Sequence, residues 1–561
     1  MKVRLVVTSL LLFIAFTVNA QLIVDGRQAA FDSRTRTFLA TVPRSLWGTT
    51  ATLTVDHDDS WGTLVFDGQD KNGRITIQNL TADCVAHFKY TDEKGFTRNG
   101  KVTFTFLPIV HLHGDIGYDY QDCTVTFTHP DGTSSLTWPA SIKWRGGTTN
   151  VNGKHKRNYK IKFGSDLSFF GLRTDNNWML DAGQADVFRL RNRIAMDLWN
   201  SFARKPYYAD EEPKAMNGVR GAVAEVFLND EYRGIYNFSE MMDRKQMRLK
   251  KADKTTGEVH GCLYKSVSWT NTKMLAEIES YDNTQETLVG YEIKYPDLAD
   301  NDTVDWLPLF EANNFACLSS KEEFAEHIGD YFDMPVLTDY NIFFNVVNAV
   351  DNNGKNIYWA IYDKGTSKRL TPVPWDLDAT FGQRWGGQLE QEVEEGYYSS
   401  SEFKLDLELS VTYRFFRDSM NGYTTQLNER YRELRQPGQP LCTDSILAIV
   451  SRYYNDITLS GAARREEQLW SGDSDVWGDT INFEQEYEYI CEWIKRRMKF
   501  IDERELPLYY KPEYFAQGIN QTTTEKTVNN TLYDLSGRPM PAGTRPRPGI
   551  YIRGGRKVLI K

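Results

Sequence analysis

The stretch from Val336 to Asp378 constrains the fold more tightly than any other part of the chain. Val336, Tyr340, Phe344 and Val347 recur at helical spacing and predict a buried helix ending at Val350. Asp351-Asn-Asn-Gly-Lys-Asn356 has no apolar period and carries the residues that favour turns, so it reads as a loop. Ile357-Tyr-Trp-Ala-Ile-Tyr362 and Leu370-Thr-Pro-Val-Pro-Trp375 are apolar runs separated by turn residues from Asp363 to Lys368, which predicts a β-hairpin. The second strand runs straight into Asp376-Leu-Asp378. A hairpin folds its far end back beside its start, so Asp376 is expected next to the loop that holds Asp351 and Asn356.

The rest of the chain divides around this unit. Residues 1–20 have the grammar of a secretory signal peptide: Lys2 and Arg4, an apolar run from Leu5 to Val18, then Val18-Asn19-Ala20 before Gln21. Residues 21–107 read as a small β-sandwich. Ala51-Thr-Leu-Thr-Val55, Gly62-Thr-Leu-Val-Phe66, Arg74-Ile-Thr-Ile-Gln78 and Lys101-Val-Thr-Phe-Thr-Phe106 are strand-like, with turns at Asp67-Gly68 and Asn72-Gly73. Residues 108–517 mix strands with helices and predict a two-lobed α+β domain: an N-lobe over 108–244, an elaboration over 245–330 and a C-lobe over 331–517. Val187, Leu190, Ile194, Leu198 and Phe202 predict a helix over 187–204, and Asn229-Asp230 a hairpin turn within 222–240. Helices are also expected over 443–455 and 483–505. The polar residues 518–530 read as a linker. Residues 531–561, with Gly549-Ile-Tyr-Ile552 and Lys557-Val-Leu-Ile-Lys561, read as a short β module.

Composition narrows the function. The net charge of −10 is spread over interleaved signs, with no basic stripe to argue for nucleic acid or anionic lipid. No later run approaches the roughly 18 apolar residues of a spanning helix, so no transmembrane segment is expected. The six cysteines form no C-x-x-C pair and are too few for a disulfide framework in so long a chain. His111-Leu-His113 puts two imidazoles on one strand face, but no third ligand stands at metal-like spacing, and satisfied strand histidines are the expectation. Ser239-Glu240 lacks a nucleophile elbow.

The order helix, Asp-x4-Asn loop, hairpin, carboxylate is that of a kinase catalytic loop followed by its metal-binding segment. Phosphoryl transfer needs a positioned hydroxyl and neutralised charge more than covalent help. Asp351 suits the hydroxyl proton, Asn356 offers a neutral oxygen to a metal, and Asp376 a carboxylate to the same metal. Ala349-Val350 stands where ordinary protein kinases carry His-Arg. Upstream, Trp144-Arg-Gly-Gly-Thr-Thr-Asn150 is a glycine-containing turn able to approach phosphates through backbone N–H groups. Lys160 and Lys162 follow on one face of a strand, either being a phosphate anchor.

Four segments in order, over roughly 110 to 400, carry a resemblance. They are Arg145-Gly-Gly-Thr-Thr with Lys156 and Tyr159-Lys-Ile-Lys; Asp186 with Leu190-Arg-Asn192; Leu228-Asn-Asp-Glu-Tyr-Arg-Gly-Ile-Tyr236 with Glu240; and Pro374-Trp-Asp-Leu-Asp-Ala-Thr-Phe-Gly382. Together they resemble the CotH (spore-coat protein H) kinase family. The resemblance implies a protein-kinase-like fold, ATP and Mg²⁺ as cofactors, and a protein Ser or Thr hydroxyl as acceptor. It implies Asp351 as the catalytic residue; Asn356, Asp376 and Asp378 at the metal; and Arg145, Lys160, Lys162 and Glu240 at the nucleotide, with Asp186 or Glu240 positioning the lysine or the adenine-side strand. The last thirty residues resemble sorting domains of the Bacteroidetes type IX secretion system, which implies a secreted or cell-surface protein. Two other classes compete: an idle kinase-fold adhesion protein, and a glycan-acting enzyme motivated by the 13% aromatic content. Asp376 and Asp378 are too close in sequence to straddle a sugar.

Overall fold

The computed structural model describes residues 22–506 apart from short stretches, the longest being 269–276, 390–410, 416–421 and 474–479, together with strands at 532–533, 549–553 and 556–560. The expected signal peptide and linker lie outside the described residues. The fold is mixed α+β. Among the described residues no helix is long and apolar enough to cross a membrane.

Residues 22–105 form two sheets around one core. Leu53 and Ile75 from one sheet meet Phe66, Phe88, Val102 and Phe104 from the other. Strand alternation produces this: in Ala51–His57, Ala51, Leu53 and Val55 are buried while Thr52, Thr54 and Asp56 face out.

Residues 109–239 form a closed barrel, which the strand pattern does not predict. Its spatial order is Ile109–His113, Gln121–Thr128, Leu136–Arg145, Asn158–Leu167, Asp175–Asp181, Glu231–Ser239, Gly221–Leu228. Parallel pairing of Ile109–His113 with Gly221–Leu228 closes it. Ile142, Tyr159, Ile161, Phe163, Trp178 and Leu180 fill the interior. The alternation therefore turns Lys143, Arg145, Lys160 and Lys162 outward, and Lys143 stands directly opposite Lys160 across the strand pair. Asn229 and Asp230 make the expected turn, with φ 47° and 62°, the left-handed pair that a tight hairpin requires. The Arg191–Phe202 helix leaves the barrel before Gly221–Leu228.

A second sheet has the order Thr287–Leu288, Tyr291–Tyr295, Cys262–Ser266, Ile357–Ile361, Thr371–Pro374. The 245–330 segment, expected as an elaboration, therefore supplies its central strand. The physical reason is that an isolated hairpin is marginal in water. Cys262–Ser266 pairs along the open edge of Ile357–Ile361 and buries Leu263 and Tyr264. The helix before the loop spans Met334–Val347 and is buried from Val336 to Val347. It stops three residues short of the expected Val350 because Asn348 turns left-handed, φ 52°.

The Ala462–Trp470 helix docks on the barrel through an ion cluster sealed from water. The Glu466 carboxylate takes Lys156 at 3.0 Å and Arg189 at 2.7 Å, all three side chains being inaccessible, and also accepts from the Ile235 N–H. Burial pushes the Lys156 ammonium down to about 7 against the pull of Glu466. Glu466→Gln strands two buried cations and is expected to cost about 3–5 kcal/mol, read as a fall in the urea midpoint. A loss under about 1 kcal/mol would show that the cluster is not holding the helix.

Among the described residues no disulfide links the six cysteines. Residues 509–561 separate as their own unit, in which Leu532–Tyr533, Gly549–Arg553 and Arg556–Ile560 form an antiparallel three-stranded sheet.

Candidate active site

Asn352 stitches the catalytic-loop candidate together. Asp351 lies in the one-turn helix Val350–Asn352. The buried Asn352 side chain donates through Nδ2 to the carbonyls of Asn356 (3.1 Å) and Trp375 (2.6 Å), and its own carbonyl accepts from the Tyr340 hydroxyl at 2.7 Å. Trp375 N–H also donates to the Asn356 carbonyl at 3.0 Å. Trp375 immediately precedes Asp376, so these bonds fix the end of the hairpin against the loop. Asn356 donates through Nδ2 to Asp351 Oδ2 at 2.8 Å, which keeps its Oδ1 as an acceptor. The Lys355 ammonium lies 3.3 Å from the same Asp351 oxygen. Asn356 (φ 56°) and Asp376 (φ 58°) both hold left-handed backbone, a conformation that non-glycine residues keep only when their surroundings enforce it.

Four carboxylates converge there. Burial raises the Asp376 carboxyl above the usual range; Asp181 and Asp351 add to the rise, while Lys265 and Arg145 oppose it. Burial lifts Asp378 well above that range, and Asp376, Asp181, Asp186 and Asp351 lift it further. Asp376 is exposed and Asp378 half-buried, so the carboxylates line an open site and not a sealed core. Asp181 closes the strand Asp175–Asp181 and accepts from Asn192 Nδ2 at 2.8 Å, while Asn192 Oδ1 accepts from the Leu377 N–H at 3.1 Å. Asn192 thus joins the barrel's carboxylate to the Asp-Leu-Asp segment. Oxygen donors crowded until their charges repel are what a hard divalent cation such as Mg²⁺ takes.

Cations face this cluster. Arg145 lies over the Trp375 ring at 5.8 Å, and Lys265 over Tyr358 at 5.7 Å. Burial lowers the Lys160 pKa, and Lys143, Arg145 and Lys162 lower it further, with Asp243 the opposing charge. Like charges facing one another across a strand pair are destabilising by themselves, and a polyanion relieves them.

The structure therefore brings together Asp351, Asn356, Asp376 and Asp378, with Lys265 and Arg145 beside Asp376 and Lys160 next to Arg145. Lys162 is exposed on the same strand face. Glu240, expected at the nucleotide, lies apart from this cluster in its hydrogen bonding. It is inaccessible and saturated: Arg220 donates to Oε1 at 2.7 Å, the backbone N–H groups of Arg173 and Arg220 donate at 2.9 Å each, and Gln246 at 3.0 Å. Burial alone would raise its pKa, but these donors lower it. Asp186 is likewise spent, accepting from Arg191 Nη1 and the Arg191 N–H at 2.7 Å each, and Lys156 is sealed in the Glu466 cluster. Sequence reasoning missed Asp181, Asn352, Lys143 and Lys265, and gave Asn192 no role. Asp181 carried a signal, as a carboxylate closing an alternating strand just before Gly183.

Residues 142–501 match the family model described as CotH kinase protein, an interval that contains every residue of this cluster. The inner spore coat protein H of Bacillus subtilis (strain 168) is 22% identical over 361 residues, covering 64% of this chain and 85% of that protein.

Proposed function

The chain belongs to the CotH kinase protein family, and we propose that it is an exported, Mg²⁺-dependent phosphotransferase of protein-kinase-like, two-lobed architecture that moves the γ-phosphoryl group of ATP to protein Ser or Thr hydroxyls. The observation that carries this reading is the carboxylate cluster of Asp181, Asp351, Asp376 and Asp378 with Lys265 and Arg145 beside Asp376, and Lys160 next to Arg145. Asp376 and Asp378, with Asp181 and Asn356 Oδ1, would hold Mg²⁺. When bound, the metal neutralises charge on the phosphoryl oxygens. Lys160 and Arg145 grip the phosphates, and Lys265 shields Asp376 from its neighbours. Asp351, oriented by Asn356 and Lys355, accepts the proton of the acceptor hydroxyl.

The test is incubation of the chain from Gln21 onward with γ- or α-labelled ATP, Mg²⁺ and a protein acceptor. Transfer of the γ label alone is expected. Transfer of the α label alone makes the protein a nucleotidyltransferase, and failure to bind nucleotide at all makes it an idle scaffold. Export and surface sorting belong to the same reading. Because residues from 509 onward form their own unit, deleting 531–561 is expected to leave the unfolding midpoint and phosphotransfer unchanged while abolishing surface display. A truncated protein that no longer folds would make the tail part of the core.

A further inference from the structure

The barrel carries a second cluster, on the opposite chemistry. Ile109–His113 faces Val110 and Leu112 into the barrel core, so His111 and His113 share the outer face. Their rings lie 3.9 Å apart. Asp230, in the turn after Gly221–Leu228, completes the group, and one ligand atom from each residue lies within 4.8 Å of the others. The third ligand that spacing along the sequence did not offer arrives through the parallel pairing that closes the barrel, His111 standing beside Phe227.

Two observations point to a ligand here. His111 is 5% exposed, and its Nε2 has no hydrogen-bond partner. That atom lies 3.7 Å from Asp230 Oδ1, too long for a hydrogen bond and a gap that a cation would close. A buried ring nitrogen without a partner normally costs stability. The turn is preset as well: Asn229 exchanges hydrogen bonds of 2.9 Å with Gly114 through both its amide atoms, clamping the hairpin onto the end of the histidine strand.

We propose that His111, His113 and Asp230 form a divalent transition-metal site, of the Zn²⁺ class, at the seam between barrel and N-terminal sandwich. Two imidazoles and one carboxylate suit Zn²⁺ and leave a fourth position for water or a ligand. The all-oxygen preference of Mg²⁺ separates this site from the Asp376 cluster. Zinc bonds of about 2.0–2.2 Å require the ligand atoms to close to about 3.4 Å, within reach of small side-chain rotations. The ion would tie the 30–33 segment to the barrel, because Ser33 N–H already donates to the Asp230 carbonyl at 2.7 Å.

Equilibrium dialysis of the chelator-stripped chain against Zn²⁺ tests this. One ion per chain is expected, with affinity falling roughly 100-fold or more in His113→Ala and in Asp230→Asn, since even outer-shell changes reach 10–100-fold. Asp376→Asn should leave Zn²⁺ binding unchanged. Co²⁺ in its place should give a visible absorption band that is lost in His113→Ala. Asp230→Asn provides a second, half-exposed variant should His113→Ala not fold. No bound Zn²⁺ at micromolar concentration, or equal binding by folded His113→Ala or Asp230→Asn, would overturn the assignment.

Discussion

Asp376→Asn is expected to lower phosphotransfer by at least ~10³-fold, because a metal contributes several kcal/mol of charge stabilisation and each 1.4 kcal/mol is about tenfold. The substitution keeps the side chain's size while removing the anion that Asp181, Asp351 and Asp378 are crowded against. That crowding gives the site a pH signature. With the Asp376 and Asp378 carboxyls raised, the folded chain holds more protons than the unfolded one as pH climbs out of the usual carboxylate range, so metal-free stability falls through that window. A bound dication reverses the penalty. The unfolding temperature is therefore expected to rise with Mg²⁺ at neutral pH, and that rise should vanish on acidification through the raised pKa values as protons compete for the same oxygens. Asp376→Asn should flatten the response across pH. A Mg²⁺ response identical in Asp376→Asn and wild type would move the metal elsewhere.

The hairpin around this site was legible because a helical period, a turn-rich loop and two apolar runs follow one another without ambiguity from Val336 to Trp375. Local alternation likewise reported that Lys160 and Lys162 share a face. It said nothing of neighbours. Ile109–His113 and Gly221–Leu228 lie over a hundred residues apart, and a strand's alternation names its buried face, not the strand beside it. The barrel, and the meeting of His111 with Asp230, were invisible for that reason. The bonds that Arg220 and two backbone N–H groups make to Glu240 were hidden for the same reason. Asp181 was missed because its partner Asn192 reaches it from a helix whose direction only packing decides.

Asp351→Asn and Lys160→Ala should separate the chemical step from nucleotide capture. Asp351 is held by Asn356 and Lys355 on the loop side of the cluster, where it can act on the acceptor hydroxyl. Its replacement is expected to reduce transfer by ~10²–10⁴-fold, the usual worth of a positioned general base, with nucleotide affinity unchanged. Lys160 stands beside Arg145 on the outer face of the barrel, where Lys143, Arg145 and Lys162 repel it. Phosphate relieves that repulsion, so Lys160→Ala should weaken nucleotide binding roughly 10–100-fold, in line with about 1.5–3 kcal/mol for a hydrogen bond to a charged group. Lys162, exposed and two residues further along the same face, is the control, and its replacement should change affinity little. The two assays are nucleotide binding and γ-label transfer, run on each variant. Should Asp351→Asn lose affinity while its transfer at saturating ATP stays at the wild-type rate, Asp351 serves the nucleotide and the base must be sought elsewhere among the clustered carboxylates.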